Sequence, residues 1–148
     1  MQVNESTGTL GWVIAGHPPP FLRKRGGDVQ ELDCNAVLLG ALDSDEWQAQ
    51  QQETRFEPGD VVIAYTDGAF EARNANGEQF GLKRLRESIR FDPPPRNWLS
   101  FLANTVAGFH EGRADDDVLL VSITFNRRHR RINVQPESRK EKIPAGSD

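Results

Sequence analysis

The 148-residue sequence has one cysteine, one methionine and one tyrosine. A lone Cys34 excludes an intrachain disulfide and a zinc knuckle, and it fits a reducing compartment, for which the cytoplasm is the simplest expectation. Cys34 also has no basic neighbours to lower its pKa, so an inert thiol is expected. No apolar run reaches membrane-spanning length, and the opening MQVNESTG has neither the basic nor the apolar region of a signal peptide. GHPPPFLRKRGG lacks the spacing of a phosphate-binding loop. Ser44 and Ser122 lack the accompanying His and Asp of a nucleophilic triad. His17 sits in a proline turn with no second histidine at ligand spacing, which makes scaffolding its default role.

The charge that is present is unevenly placed. Residues 127–148 carry seven Lys/Arg against three Asp/Glu, a net +4, so the overall −4 leaves −8 on residues 1–126. An acidic body is poor at binding nucleic acid and suited to holding cations. The tail RRHRRINVQPESRKEKIPAGSD has no apolar periodicity and reads as a disordered, solvated segment, leaving 1–126 as the folded unit.

Within 1–126 the pattern predicts an α+β fold, with antiparallel strands followed by two helices and a final strand. Strands are expected over Thr9–Ala15, Phe21–Arg23, Val29–Leu32, Thr54–Phe56 and Asp60–Thr66, the last two joined by the turn Glu57-Pro58-Gly59-Asp60. Leu82, Leu85 and Ile89 predict a helix, and Trp98, Phe101, Leu102, Thr105 and Phe109 a second one between Arg96 and His110. Val118–Phe125 predicts the last strand.

Two places concentrate carboxylates beside apolar strands. The run VVIAY ends on Thr66-Asp67-Gly68, and Asp115-Asp116-Asp117 precede the last strand. Asp-Gly is a common turn signal, so the strand could simply stop there. If the two strands are antiparallel neighbours, however, the end of one lies beside the start of the other. Carboxylates gathered in that way repel unless a cation or proton compensates, and hard ions such as Mg(II) and Mn(II) take oxygen ligands of this kind.

The motifs AGHPPP at 15–20, LLGAL at 38–42, PGDVVIAYTDGAFEARNANGEQFG at 58–81 and DDDVLLV at 115–121 occur in an order and spacing that resemble the C-terminal half of the SpoIIE/RsbU-like domain of the metal-dependent PPM serine/threonine phosphatases. The resemblance spans residues 8–125. It implies part of an α/β/β/α sandwich with a two-metal centre, using Mn(II) or Mg(II), at one edge of the paired sheets. It assigns Asp67 as a metal ligand, Gly68 to the metal-water shell, and Asp116 as a second ligand; Asp115 takes that place if the alignment shifts by one. No catalytic residue beyond the ligands is implied. The family's N-terminal half supplies the remaining ligands through Gly-Asp and Asp-x-x-Gly-His-Gly segments, and nothing in residues 1–14 resembles them.

The resemblance thus implies a protein phosphatase acting on a regulatory phosphoprotein, such as an anti-sigma-factor antagonist in bacterial partner switching, present as a partial domain with low or no turnover by itself. The alternative is a non-catalytic fragment or interaction module. A half-sandwich exposes sheet edges and apolar faces, which invites a homodimer.

Overall fold

The computed structural model describes residues 1–43, 46–110 and 117–125. Seven strands are found among them: β1 (Gln2–Asn4), β2 (Thr9–Trp12), β3 (Phe21–Arg23), β4 (Val29–Glu31), β5 (Gln52–Arg55), β6 (Val61–Tyr65) and β7 (Leu120–Thr124). Three helices, α1 (Gly68–Glu71), α2 (Gly81–Ile89) and α3 (Trp98–Phe109), lie between β6 and β7. The fold is α+β and its strand pairs are antiparallel, as the sequence pattern predicts.

The strands divide into two sheets, ordered β1-β2-β5 and β4-β3-β6-β7. Strand alternation explains why two sheets and one set of helices are needed. Along β6, Val61, Ile63 and Tyr65 face one way and join Leu85, Ile89, Trp98, Leu102 and Val106 of the helices. Val62 faces the other way and joins Leu10, Trp12, Ile14 and Phe56 between the sheets. β6 is therefore apolar at nearly every position because both of its faces are covered. Its neighbour β3 repeats the arrangement, with Phe21 on the helix side and Leu22 between the sheets.

The third residue of β3 is a buried cation. Arg23 is 1% exposed, and its Nε donates to the Ile89 carbonyl at 3.0 Å and its Nη2 to the Phe91 carbonyl at 3.3 Å. Those carbonyls lie at the C-terminal end of α2, where backbone acceptors are left over and a cation is favoured. The guanidinium also stands over the Trp98 ring, 5.4 Å from its centroid. One side chain thus ties β3 to both long helices.

Several boundaries differ from the sequence reading. β1 was not expected, and the predicted Thr9–Ala15 strand is regular only to Trp12, because the chain then turns to bond with the loop of Asn35 and Ala36. On α3 the buried stripe is Trp98, Leu102 and Val106, while Thr105 closes onto the Phe101 carbonyl instead of entering the core. No helix of the described residues is long and apolar enough to cross a membrane. The tail from residue 127 lies outside the described residues, as does Ser44.

Candidate metal-binding sheet edge

β6 carries an aspartate just outside each end, and the two occupy opposite environments. Asp60 is 2% exposed. Its Oδ1 accepts from the Arg25 amide at 2.8 Å, and its Oδ2 from the Glu57 amide and Lys24 Nζ, both at 3.0 Å. Both carboxylate oxygens are engaged inside the fold, so Asp60 is a structural anchor for the Glu57–Asp60 turn. Asp67, at the other end, is exposed, and among the described residues its Oδ1 accepts only from its neighbour's amide, Gly68, at 3.1 Å.

The Asp-Gly pair does not end the chain's order in a simple turn. The Asp67 carbonyl accepts from Phe70 at 3.0 Å and Glu71 at 2.9 Å, which starts the one-turn helix α1. Sequence patterning misses this helix because four residues are too few to show periodicity. The buried Gly68 and Ala69 that follow fix the Asp67 backbone at the rim while leaving its carboxylate in solvent.

The last strand arrives at the same rim. Tyr65 pairs with Leu120 and Val61 with Thr124. Beyond the ladder the Thr66 amide donates to the Leu119 carbonyl at 3.1 Å, and Thr66 Oγ1 donates to the Asp117 carbonyl at 2.9 Å while accepting from the Leu119 amide at 2.9 Å. The end of β6 and the lead-in to β7 are therefore clipped side by side, in the arrangement the sequence reading required for carboxylates to converge. Asp67 and Asp117 stand on these two clipped segments. Asp115 and Asp116 lie outside the described residues.

The turn into β3 reaches this end as well. Tyr65, buried against Phe21 with ring centroids 5.5 Å apart, donates its hydroxyl to the Pro19 carbonyl at 2.7 Å. Burial, and secondarily the charge of Glu31, pushes the Tyr65 phenol up well beyond its ordinary pKa. On the other flank a groove of about 540 Å³ opens beside Gly68. It runs between α1, α3 and the start of β7, and its walls include Glu71, Arg73, Leu99 and His110. Among the described residues both His110 ring nitrogens are buried without a hydrogen-bond partner. Sequence reasoning gave His110 no role.

A hard cation needs several oxygen donors, six for Mg(II) and Mn(II) with water included. Among the described residues no group of three or more His, Cys, Asp and Glu side chains is placed to hold one. Asp67 has the chemistry and exposure of one ligand, but the described donors do not by themselves compose a complete site. Cys34 is no candidate, since its thiol is turned to the Ile14 carbonyl at 3.1 Å.

Comparison with known proteins supplies the context for this edge. Residues 1–126 match the profile of the family described as Stage II sporulation protein E (SpoIIE). The chain is 25% identical over 126 residues to Protein IcfG of Synechocystis sp. (strain ATCC 27184 / PCC 6803 / Kazusa), covering 84% of this chain and 20% of that protein. It is 29% identical over 79 residues to Phosphoserine phosphatase RsbU of Bacillus subtilis (strain 168), covering 51% of this chain and 23% of that protein. Its fold matches the SiaA-PP2C domain of Pseudomonas aeruginosa with a TM-score of 0.63 at 24% identity, over 80% of this chain and 47% of that one. The chain therefore spans about a fifth of the two relatives' lengths and about half of the solved domain.

Proposed function

The chain belongs to the SpoIIE family and has the fold of a PP2C-type phosphatase domain, and on that premise we propose that it is the C-terminal part of a metal-dependent phosphatase for phosphoserine or phosphothreonine in a regulatory protein. The observation that carries this reading is the clip between Thr66 and residues 117–119, which brings two aspartate-bearing segments to one sheet end.

In this reading Asp67 and Asp116 are ligands of Mn(II) or Mg(II), with Asp115 the alternative for the second, and Gly68 borders the water shell of the ion. A divalent ion held there would neutralise charge on the phosphoryl group as it transfers. The chain's own residues contribute the rest: Asp60 and the Glu57–Asp60 turn hold one end of β6, Thr66 holds the other end to β7, and the groove beside Gly68 receives polypeptide flanking the phosphorylated residue. RsbU, a relative named as a phosphoserine phosphatase, supports a phosphoprotein substrate, and an anti-sigma-factor antagonist in the cytoplasm is the form of it we propose.

A second reading is an interaction module that is not catalytic until complementary ligands are supplied. Among the described residues β7 is a sheet edge, and Val118, Leu119 and Val121 on or before it are exposed, so this edge suits pairing with further polypeptide, a second copy included. Turnover of a phosphoserine peptide with Mn(II) separates the two. The partial phosphatase shows slow turnover that Asp67→Asn removes. Turnover indistinguishable from buffer in every metal favours the module. Fast turnover by the 148-residue chain alone would contradict a partial site.

A further inference from the structure

The turn His17–Pro20 lies at the Asp67 end of the four-stranded sheet. β3 and β6 are antiparallel, with Phe21 opposite Ile63 and Arg23 opposite Val61, so the residues leading into β3 approach those that follow β6. The Tyr65 bond to the Pro19 carbonyl, beyond the last ladder pair, shows that this approach continues to within two residues of both His17 and Asp67. Gly16, with φ +75°, starts the turn, and the Leu38 side chain lies against it so closely that a Cβ would meet Leu38 Cδ1 at 2.4 Å. The turn is therefore tied to β6 by Tyr65 and requires glycine at its start.

His17 is exposed at this turn, yet its ring is oriented. Nδ1 lies 2.8 Å from the Pro18 carbonyl oxygen. A carbonyl can only accept, so Nδ1 carries the proton. Nε2 has no partner among the described residues. An exposed imidazole anchored through one nitrogen to backbone leaves the other nitrogen directed for a ligand, at an energetic advantage over a freely rotating side chain.

We propose that His17 is a substrate-contacting residue: with a proton on each ring nitrogen, Nδ1 stays on the Pro18 carbonyl and Nε2 donates to a phosphoryl oxygen of the phosphoserine or phosphothreonine. The proposal rests on the phosphatase reading and extends it, since no role beyond scaffolding follows for His17 from the sequence. A phosphate monoester brought beside Asp67 meets a negative carboxylate, and a cationic donor at the same sheet end offsets part of that repulsion.

The test is NMR on the 15N-labelled 148-residue chain at fixed, slightly acid pH, titrated with O-phosphoserine, inorganic phosphate, serine and sulfate. The expected result is a saturable change at His17 Nε2 with phosphoserine and phosphate, none with serine, and a weaker one with sulfate. His17→Asn keeps an amide in place of Nδ1 and removes the Nε2 donor; it should weaken phosphoserine binding, read at the Gly68 amide, about tenfold, in line with loss of a charge-assisted hydrogen bond. His17→Gln, whose amide reaches the Nε2 position, should recover part of that loss. Wild-type affinity in both variants, an unchanged Nε2 signal, or equal responses to sulfate and phosphoserine would each overturn the proposal. Mn(II) added separately tells the two readings apart. If the Asp67 and Gly68 amides respond to Mn(II) while His17 ignores phosphoserine, His17 is scaffolding and the phosphatase reading stands. If neither responds, both fall.

Discussion

Thr66 Oγ1 donates to the Asp117 carbonyl and accepts from the Leu119 amide, both at 2.9 Å, so one hydroxyl closes the space between the end of β6 and the start of β7. The bonds sit one residue before Asp67 and extend the β6–β7 register past its last ladder pair. This geometry uses the hydroxyl of Thr66, which a β-branched residue without one would not supply.

Thr66→Val keeps the shape and removes both bonds. It should cost about 1–2 kcal/mol of stability, the ordinary net value for one or two neutral hydrogen bonds at a partly exposed place. Urea unfolding gives the stability, and amide exchange at Leu119 gives the local effect. An unchanged Leu119 exchange rate would show that the clip does not hold the lead-in.

Much of this edge was legible in the sequence, because its signals are local. The apolar run of β6 ended by Asp-Gly and the aspartates ahead of another apolar run marked both segments, and the antiparallel pairing brought them together as expected. What was not legible depends on contacts between distant residues. Asp60 and Asp67 look alike in sequence, and only the amides of Arg25 and Glu57 and the ammonium of Lys24 make the first a buried anchor. The burial of Arg23 has no signal in the short strand Phe21–Arg23, because its partners are carbonyls at the end of α2, distant in sequence. The resemblance implied paired sheets, but which strand joins which sheet was not legible, since alternation gives the faces of a strand but not its neighbours.

Arg23 supplies a second prediction. Its removal leaves the carbonyls of Ile89 and Phe91 without their cationic donor and opens space against Trp98. Arg23→Ala should destabilise by about 3 kcal/mol, the upper range for hydrogen bonds to a charged group, and Arg23→Met should recover the packing part. Thermal or urea unfolding of both variants measures this. Equal stability of wild type and Arg23→Ala would contradict the bridging role.

Tyr65 predicts a dependence on alkaline pH. Burial raises its folded pKa above the unfolded value of about 10. Its contribution is therefore fully present below that unfolded value. It is lost as pH rises from there toward the folded pKa, because only the unfolded chain then releases the proton. Stability of the wild type should fall through this range. Tyr65→Phe, which lacks the proton and the bond to Pro19, should lose about 1 kcal/mol at neutral pH but show a shallower alkaline decline. Parallel pH profiles for the two proteins would contradict the assignment.

The central proposal is that Asp67, at the end of β6, is a metal ligand in a site that the described residues only partly build. Paramagnetic broadening by Mn(II) in the amide NMR spectrum of the 148-residue chain tests it most directly. The account predicts broadening centred on Thr66–Gly68 and on 117–119, with weak affinity, and its loss in Asp67→Asn while Asp60 and its turn remain unaffected. Broadening centred elsewhere, or a pattern at 66–68 that survives Asp67→Asn, would contradict it.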